Sequence, residues 1–333
     1  MQTSPLAERR PARGAFARPD ADAPAGGIRS GSRAAQAAPV RRRVVAMPTL
    51  GSNGRFGNQL FQYLFLRLCA RKRGLLIQTP KWAGQEIFGF SDPPVATEPA
   101  VLVSSEEISD LNAFIETDPR LGDDVALKGW FHYHSSQFRP HREFIRRLFV
   151  LRPDLRAYFS QALAQIRRSR RPLVAVHIRR GDYGYRHFFR APSCWYADWL
   201  RSGPGAGPAT PLVYICSESP EEVAPFFADW HPLHAGLMNR LPTALRFLMD
   251  FYVMTQADAL AISNSSFSFM AAMLNERARS FVRPTLDDGR LVPFDPWGSI
   301  VVLQRELEPG EQERLDDMDR VPAGVKGAPS GGN

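Results

Sequence analysis

The chain has 333 residues, of which 44% are hydrophobic and 23% are charged. These fractions are typical of a soluble globular protein, and the length suffices for two domains of ordinary size. The formal net charge is +8, but residues 1–43 hold nine arginines against three acidic residues, so six of the eight charges belong to that segment. The remainder is nearly neutral, which argues against a nucleic-acid-binding face.

Residues 1–43 are rich in alanine, proline, glycine and arginine and lack the periodic apolar positions of a folded element. This composition predicts a disordered basic tail. The tail lacks the apolar core of a secretory signal, and the chain has no run of about 18 apolar residues, so neither secretion nor a membrane span is predicted. We expect a cytoplasmic protein, with peripheral contact at the inner face of the membrane as the alternative.

The ordered chain is predicted to begin with a βαβ unit. Val44–Leu50 forms a short apolar strand, and apolar residues at helical spacing follow from Leu60. Gly74 ends this helix, and the apolar residues after it begin a second strand. The glycine-rich turn Gly51–Gly57 is either a simple tight turn or an anion-binding turn at a helix amino end. Its spacing is not G-x-G-x-x-G, so a dinucleotide fingerprint is excluded.

Between this unit and residue 172 the sequence patterns that predict helices and strands are weaker. Residues 80–120 are rich in proline, glycine and serine and predict an irregular excursion with one short helix near Glu106–Ile115. Residues 125–131 predict a strand, and residues 143–149 and 154–168 predict helices. The basic run Arg142–Arg171 is interpreted as the exposed side of a domain-linking helix rather than as a nucleic-acid patch, because its apolar residues share one helical stripe.

From residue 172 onward, predicted strands and helices alternate. The strands cover residues 173–178, 212–216, 259–262 and 280–282; the helices cover 195–201 with Ser193 as its cap, a start at Ser219, 243–256 and 267–275. This alternation predicts a parallel sheet with right-handed crossovers. Together with the first unit it predicts an α/β fold of two Rossmann-like domains. Residues 306–333 are polar and are expected to form a frayed tail.

The stretch Val174–Asp182 predicts a strand buried on both faces that delivers Arg179, Arg180 and Asp182 at its carboxyl end. In open α/β sheets ligands bind at the carboxyl ends of the strands. Two forked guanidinium groups at that place suit a diphosphate, whereas the alternative is a surface cluster of arginine and aspartate.

A second stretch, Ile262–Phe269, places small hydroxyl and amide residues between a strand and an apolar helix. Free backbone N–H groups and the helix dipole favour an anion there, although simple capping by Asn264 or Ser265 explains the same residues. The arginine pair on a neighbouring strand end favours a phosphate site.

The cysteine and histidine residues predict no metal centre. The three cysteines are scattered and are expected to be reduced thiols. His132 and His134 alternate near a strand end with His141 nearby, but structural zinc usually brings cysteines or tighter histidine spacing.

Several sequence blocks, in this order, resemble those of the α1,2-fucosyltransferases (glycosyltransferase family 11) and of their relatives, the α1,6- and protein O-fucosyltransferases. The blocks are GRFGNQLFQY at 54–63, LKGWFHYHSSQF at 127–138, HIRRGDY at 177–183, YICSES at 214–219 and ISNSSFSFMAAMLN at 262–275. They span roughly residues 44–285. Residues 183–193 and the pair Phe269–Met270, where many relatives carry two tryptophans, depart from the family pattern.

The resemblance implies a GT-B type fold, in which two Rossmann-like domains face each other across a cleft. Residues 44–153 would form the acceptor-side domain and residues 154–305 the GDP-fucose-binding domain. The implied activity is inverting transfer of L-fucose from GDP-fucose to the 2-hydroxyl of a galactose-type residue on a glycan. Two alternatives remain: the same chemistry on a chitooligosaccharide or protein acceptor, or a non-catalytic relative that binds a nucleotide or another anion.

The resemblance also assigns residues. Those implied to bind the GDP-fucose donor are Asn58, His177, Arg179, Arg180, Asp250, Ser265, Ser266 and Ser268. Arg179 is the arginine implied to reach the β-phosphate, and Arg55, Gly57 and Gln59 match a motif that borders the cleft. Asp182 is the first candidate for the catalytic base, followed by His187 and His177.

No cofactor is expected besides the donor substrate. Many transferases stabilise the departing diphosphate with a divalent ion held by a D-x-D motif. Here D-x-D occurs only at Asp20–Asp22 and Asp317–Asp319, in the two predicted tails. We therefore expect the arginines and the helix start at 265–268 to replace the metal.

Overall fold

A computed structural model describes residues 43–96, 99, 101–204, 210–238 and 241–320. The strands are β1 Val44–Ala46, β2 Leu76–Gln78, β3 Val101–Ser104, β4 Val125–Lys128, β5 Leu173–His177, β6 Leu212–Cys216, β7 Leu233–His234, β8 Ala259–Ala261, β9 Phe281–Thr285 and β10 Arg290–Pro293. The helices are α1 Phe56–Arg73, α2 Ala83–Phe88, α3 Leu111–Thr117, α4 Arg142–Leu148, α5 Pro153–Ile166, α6 Ser193–Ser202, α7 Pro220–Val223, α8 Arg246–Gln256, α9 Ser266–Leu274 and α10 Glu311–Met318. The predicted tail over residues 1–43 lies, apart from Arg43, outside the described residues.

The first sheet has the strand order β2-β1-β4-β3, and every neighbouring pair is parallel. Val45 pairs with Ile77 on one side and with Val125 on the other. Helix α1 packs against the sheet and ends at Gly74, which has a φ of 66°. The predicted βαβ unit is therefore confirmed. Strand β3 was missed because it directly follows the proline-rich residues 93–99 and leaves Leu102 exposed.

The second sheet has the order β10-β9-β8-β5-β6-β7. All its pairs are parallel except β9 with β10, which form an antiparallel edge. Strand β5 lies inside the sheet and all five of its residues are buried, as its unbroken apolar run predicts. The α/β class is confirmed, and the strands β7 and β10 are additions that the sequence did not reveal.

Residues 306–320 differ from the expected frayed tail. Helix α10 packs against the second sheet and α6, and its Leu315 is buried in their shared hydrophobic cluster. The side chain of Gln312 accepts a hydrogen bond from the backbone N–H of Arg190 at 2.9 Å, and Asp316 pairs with the Arg190 guanidinium. The helix was missed because its polar sequence has few apolar residues and because Asp316 has its partner, Arg190, more than a hundred residues away.

The amino end of α6 also differs from the prediction. Ser193 is the first residue of the helix rather than its cap, and its backbone N–H donates to Asp319 Oδ1 at 2.5 Å. The carboxylate of Asp319, just beyond the end of α10, thus accepts from a free backbone N–H group at the amino end of α6. The sequence predicts that Ser193 caps this end. Within the described part of the chain, no helix combines the length and apolarity needed to cross a bilayer.

Candidate functional site

A cavity of about 1040 Å³ opens where the carboxyl ends of the two sheets meet. The first sheet contributes residues 54–58, which lead into α1, together with Trp130 and His132 after β4. The second sheet contributes residues that follow β5, β6, β7 and β8, and α8 adds part of its first turns. The cavity therefore occupies the position at which open α/β sheets bind ligands.

Arg179 follows β5 and lies at the cavity with its side chain 13% exposed. Its guanidinium donates to Asp182 Oδ1 at 2.6 Å, contacts the Glu218 carboxylate, and lies 4.7 Å from the centre of the Tyr183 ring. Arg55 approaches the same Asp182 oxygen at 3.3 Å from the first sheet. Two guanidinium groups and two carboxylates thus meet at one place on the cavity wall, where the guanidinium N–H groups can bind a diphosphate.

Arg180 points elsewhere and is not among the residues that line the cavity. Its guanidinium contacts the Asp319 carboxylate and donates to Ser193 Oγ at 2.6 Å and to the carbonyl of Ala191 at 3.0 Å. It joins β5 to α6 and to the end of α10. The geometry therefore departs from the assignment of Arg180 to the donor site, because consecutive residues at a strand exit direct their side chains to opposite sides.

The amino ends of helices α1 and α9 pack closely against each other beside the cavity. A Cβ atom on Gly57 would lie 2.4 Å from the Phe267 amide nitrogen and 2.6 Å from its Cα, so only glycine permits this approach. Next to it, Ser266 Oγ donates to Asn58 Oδ1 at 2.5 Å. This contact joins the two sheet layers at the amino end of α9.

The serines expected at the start of α9 divide into two groups. Ser265 and Ser266 line the cavity, and Ser265 Oγ accepts a hydrogen bond from the Phe267 amide at 3.3 Å. Ser268 is fully buried and donates to the Ser265 carbonyl, so it does not face the cavity. The helix amino end is thus both capped by Ser265 and presented to the cavity, which leaves its positive dipole end available to an anion.

His177 ends β5 and lines the cavity although it is 3% exposed. Its Nδ1 lies 2.8 Å from Ser263 Oγ. Burial, assisted by the charge of Arg179, lowers the pKa of His177 well below its ordinary value, so the imidazole is neutral near pH 7. The ring can offer a hydrogen bond at the phosphate end but carries no charge there.

His187 lies on a tight hairpin, in which Tyr185 and Phe188 form an antiparallel bridge. Its ring lies tilted by 44° against that of Phe188, with the ring centres 4.0 Å apart, and lines the cavity. Burial is the main cause that lowers the pKa of His187, which keeps the ring neutral and able to accept a proton near pH 7.

Asp250, on α8, lines the same cavity and is 8% exposed. The hydroxyl of Tyr214 donates to Asp250 Oδ1 at 3.0 Å. Burial raises the pKa of Asp250 well above its ordinary value, while the hydrogen bond from Tyr214 partly opposes this. A buried acceptor of this kind suits a ligand that brings its own N–H donors.

The structure brings nearly all the expected residues to one cavity. Those that line it are Asn58, His177, Arg179, Asp182, His187, Asp250, Ser265 and Ser266. Glu218 and Trp130 also line it and were not foreseen. Glu218 could have been found, since it follows the carboxyl end of β6 just as Arg179 follows that of β5.

His132 also lines the cavity rather than pairing with other histidines. Burial lowers the pKa of His132 to about 4. Among the described residues, no group of three histidine, cysteine, aspartate or glutamate side chains lies close enough to hold a metal ion. Of the D-x-D at 317–319, Asp317 pairs with Arg320 at 3.1 Å and Asp319 with Arg180.

No protein-family model matches the chain. Over 143 residues it is 33% identical to galactoside α-(1,2)-fucosyltransferase 1 of Gorilla gorilla gorilla, a match that covers 40% of this chain and 39% of the relative. The protein of the same name from Oryctolagus cuniculus is 32% identical over 143 residues, which are 40% of this chain and 38% of that one. The resemblance to α1,2-fucosyltransferases is confirmed. The matched segment spans about two fifths of the length of these relatives.

Among solved structures, the chain is similar to that of Arabidopsis thaliana FUT1 in complex with GDP. The TM-score is 0.53 at 10% sequence identity, and the similarity covers 76% of this chain and 74% of that one. This likeness concerns the fold alone. It confirms the expected α/β fold of GT-B type.

Proposed function

We propose that the protein transfers L-fucose from GDP-fucose to the 2-hydroxyl of a galactose-type residue on a glycan. The observation that carries this proposal is the placing of Arg179 and the amino end of α9 on one cavity between the two sheets. Guanidinium N–H groups and a positive helix amino end are the groups that bind the negative charge of a diphosphate. The identity to galactoside α-(1,2)-fucosyltransferases supports fucose as the sugar and galactose as the acceptor.

In this proposal the GDP part lies along the second sheet. The diphosphate contacts Arg179 and the amino end of α9, while the guanine lies toward Asp250, whose carboxylate accepts from the N–H groups of the base. The GDP bound to Arabidopsis thaliana FUT1 supports this choice of nucleotide. To take up the diphosphate, Arg179 exchanges part of its contact with Asp182 and Glu218 for phosphate oxygens.

The chemical step is a single displacement with inversion. The acceptor oxygen bonds to C1 of fucose as the bond from C1 to the β-phosphate oxygen breaks, and that oxygen keeps the electron pair. Arg179 stabilises the negative charge that grows on the phosphate. The acceptor proton passes to a base, for which Asp182 is our first candidate because its half-exposed carboxylate lies at the cavity beside Arg179. His187 is the second candidate, and a pH profile that flattens only in His187→Gln would favour it.

We further propose that the step needs no divalent metal, because Arg179 and α9 supply the positive field that a metal would supply. Activity is expected to survive excess EDTA. Loss of activity with EDTA and its return with manganese or magnesium would contradict this part of the proposal.

One assay tests both whether the protein is catalytically active and which acceptor it uses. The assay follows the release of GDP from GDP-fucose. We expect release that depends on lactose and is weaker with chitooligosaccharides. Release that depends on chitooligosaccharides or on a protein would change the acceptor. Tight GDP binding without release on any acceptor would make the protein a non-catalytic nucleotide-binding relative. We also propose a cytoplasmic location, which fractionation of cells that express the protein would test.

A further inference from the structure

Trp130 is an exposed tryptophan inside a concave site. Its side chain lines the cavity and the residue is 42% exposed, as are Tyr185 at 52% and Phe247 at 40% on the same cavity, but Trp130 alone of these three belongs to the first sheet's side. Leaving an indole face in contact with water forgoes the free energy that burial would supply. An aromatic face at a cavity wall is a common way of binding a ligand with an apolar surface.

The backbone around Trp130 holds the indole in this position. Gly129 has a φ of 135°, and Phe131 has a φ of 56°, a conformation that a bulky side chain rarely adopts. Phe131 is nonetheless buried and stacks on Phe65 with ring centres 4.5 Å apart. The core therefore holds Phe131 in a strained conformation directly next to Trp130, which fixes the backbone that carries the indole at the cavity.

A short series of contacts joins Trp130 to the proposed diphosphate site. A Cβ atom on Gly54 would lie 2.6 Å from the Trp130 ring and 2.4 Å from Asn58 Nδ2, so both side chains flank this glycine. Asn58 in turn accepts the hydrogen bond from Ser266 at the amino end of α9. The side chain of Asn58 thus lies between the Trp130 indole and the amino end of α9. The indole approaches the proposed diphosphate site from the first sheet.

We propose that the face of Trp130 binds the acceptor sugar by stacking on the apolar face of a neutral pyranose. In galactose the C–H groups at C3, C4 and C5 form such a face, and the ring at this place would present its hydroxyls toward the diphosphate end. This inference rests on the proposed function, since it assigns the acceptor position of the same site.

Steady-state kinetics of Trp130 variants test the assignment. In Trp130→Ala and Trp130→Gln we expect the KM for lactose to rise about tenfold, the loss typical of one well-placed aromatic contact, and the KM for GDP-fucose to stay unchanged. Trp130→Phe should retain most of the affinity for lactose. Leu102→Ala, an exposed apolar residue on β3, serves as the control and should change neither constant.

If the wild-type protein transfers fucose and the KM for lactose is unchanged in Trp130→Ala, the assignment is overturned. An equal rise in both KM values would also overturn it, because Trp130 would then act on the donor. A wild-type protein that transfers no fucose would instead refute the proposed function.

A second measurement uses the wild-type protein and needs neither turnover nor a folded variant. Saturation-transfer NMR of methyl β-galactoside with GDP present should show the strongest saturation at H3, H4 and H5. Saturation centred on other protons, or none at all, would contradict stacking on that face.

Discussion

Arg179 and Arg180 are neighbours in sequence, yet their guanidinium groups have different partners. Arg179 lies at the cavity beside Glu218, whereas Arg180 contacts Asp319 at the amino end of α6, 139 residues further along the chain. The alternation of side chains at a strand exit separates them. One arginine is therefore placed to meet a ligand, and the other joins structural elements.

This separation predicts different effects for the two lysine variants. Arg179→Lys should lower turnover about 100- to 1,000-fold, since an ammonium lacks the planar fork that follows the growing phosphate charge. Arg180→Lys should keep turnover within about tenfold but lower the thermal midpoint, because it loses the hydrogen bonds to Ser193 and Ala191. Near-normal turnover in Arg179→Lys together with inactive Arg180→Lys would show that the roles are exchanged.

The contact between Arg180 and Asp319 should matter for stability. Both side chains are largely buried, at 11% and 20% exposure, so Asp319→Ala leaves a buried guanidinium without its charged partner. We expect the free energy of unfolding to fall by about 2–3 kcal/mol. Asp198→Ala breaks an exposed pair with Arg201 and should cost less than about 0.5 kcal/mol. Urea unfolding of both variants measures the difference, and equal losses would contradict the structural role of Asp319.

The sequence allowed prediction of the second sheet because its central strands are unbroken apolar runs followed by helix signals. It also placed Arg179 and Ser265 at one sheet edge, since the carboxyl ends of parallel strands meet. Local patterns do not record contacts between distant residues, so the partners of Arg180 and the packing of α10 were missed. The positive φ of the buried Phe131, next to Trp130, could not be predicted because residue propensities do not indicate a strained backbone.

Gly57 should tolerate no larger side chain. A methyl group there would meet backbone atoms of Phe267 and Ser266 at 2.4 to 2.9 Å, and backbone cannot move aside as a flexible side chain can. Gly57→Ala should therefore destabilise the fold by about 1–3 kcal/mol and lower the affinity for GDP, since α1 and α9 must separate. Gly122→Ala is the matched control, because its nearest neighbour would be 3.6 Å away. Similar urea midpoints for the two variants would argue against the close helix contact.

The buried carboxyl of Asp250 predicts a pH dependence of GDP binding. Burial raises its pKa, so the group stays protonated to a higher pH than an ordinary aspartate, whereas the N–H donors of guanine require the carboxylate. Affinity for GDP should therefore rise as the pH increases through the raised pKa. The same shift makes the contribution of Asp250 to folding stability fall as the pH rises from the ordinary value to the raised one.

Calorimetric titration with GDP across pH checks this prediction. Asp250→Asn should bind GDP more weakly than the wild-type protein at high pH, and its affinity for GDP should no longer rise with pH. A pH dependence of the GDP affinity that persists in Asp250→Asn would assign the titration to another group. The histidines that line the cavity are His132, His177, His187 and His234.

The most direct test of fucosyl transfer is the structure of the product made from GDP-fucose and lactose. Two-dimensional NMR of the purified trisaccharide should show an α-linked fucose with a correlation from its anomeric proton to C2 of galactose. Wild-type protein should form this product and Arg179→Lys should form it far more slowly. A fucose attached at another position, or equal yields from the two proteins, would contradict the account.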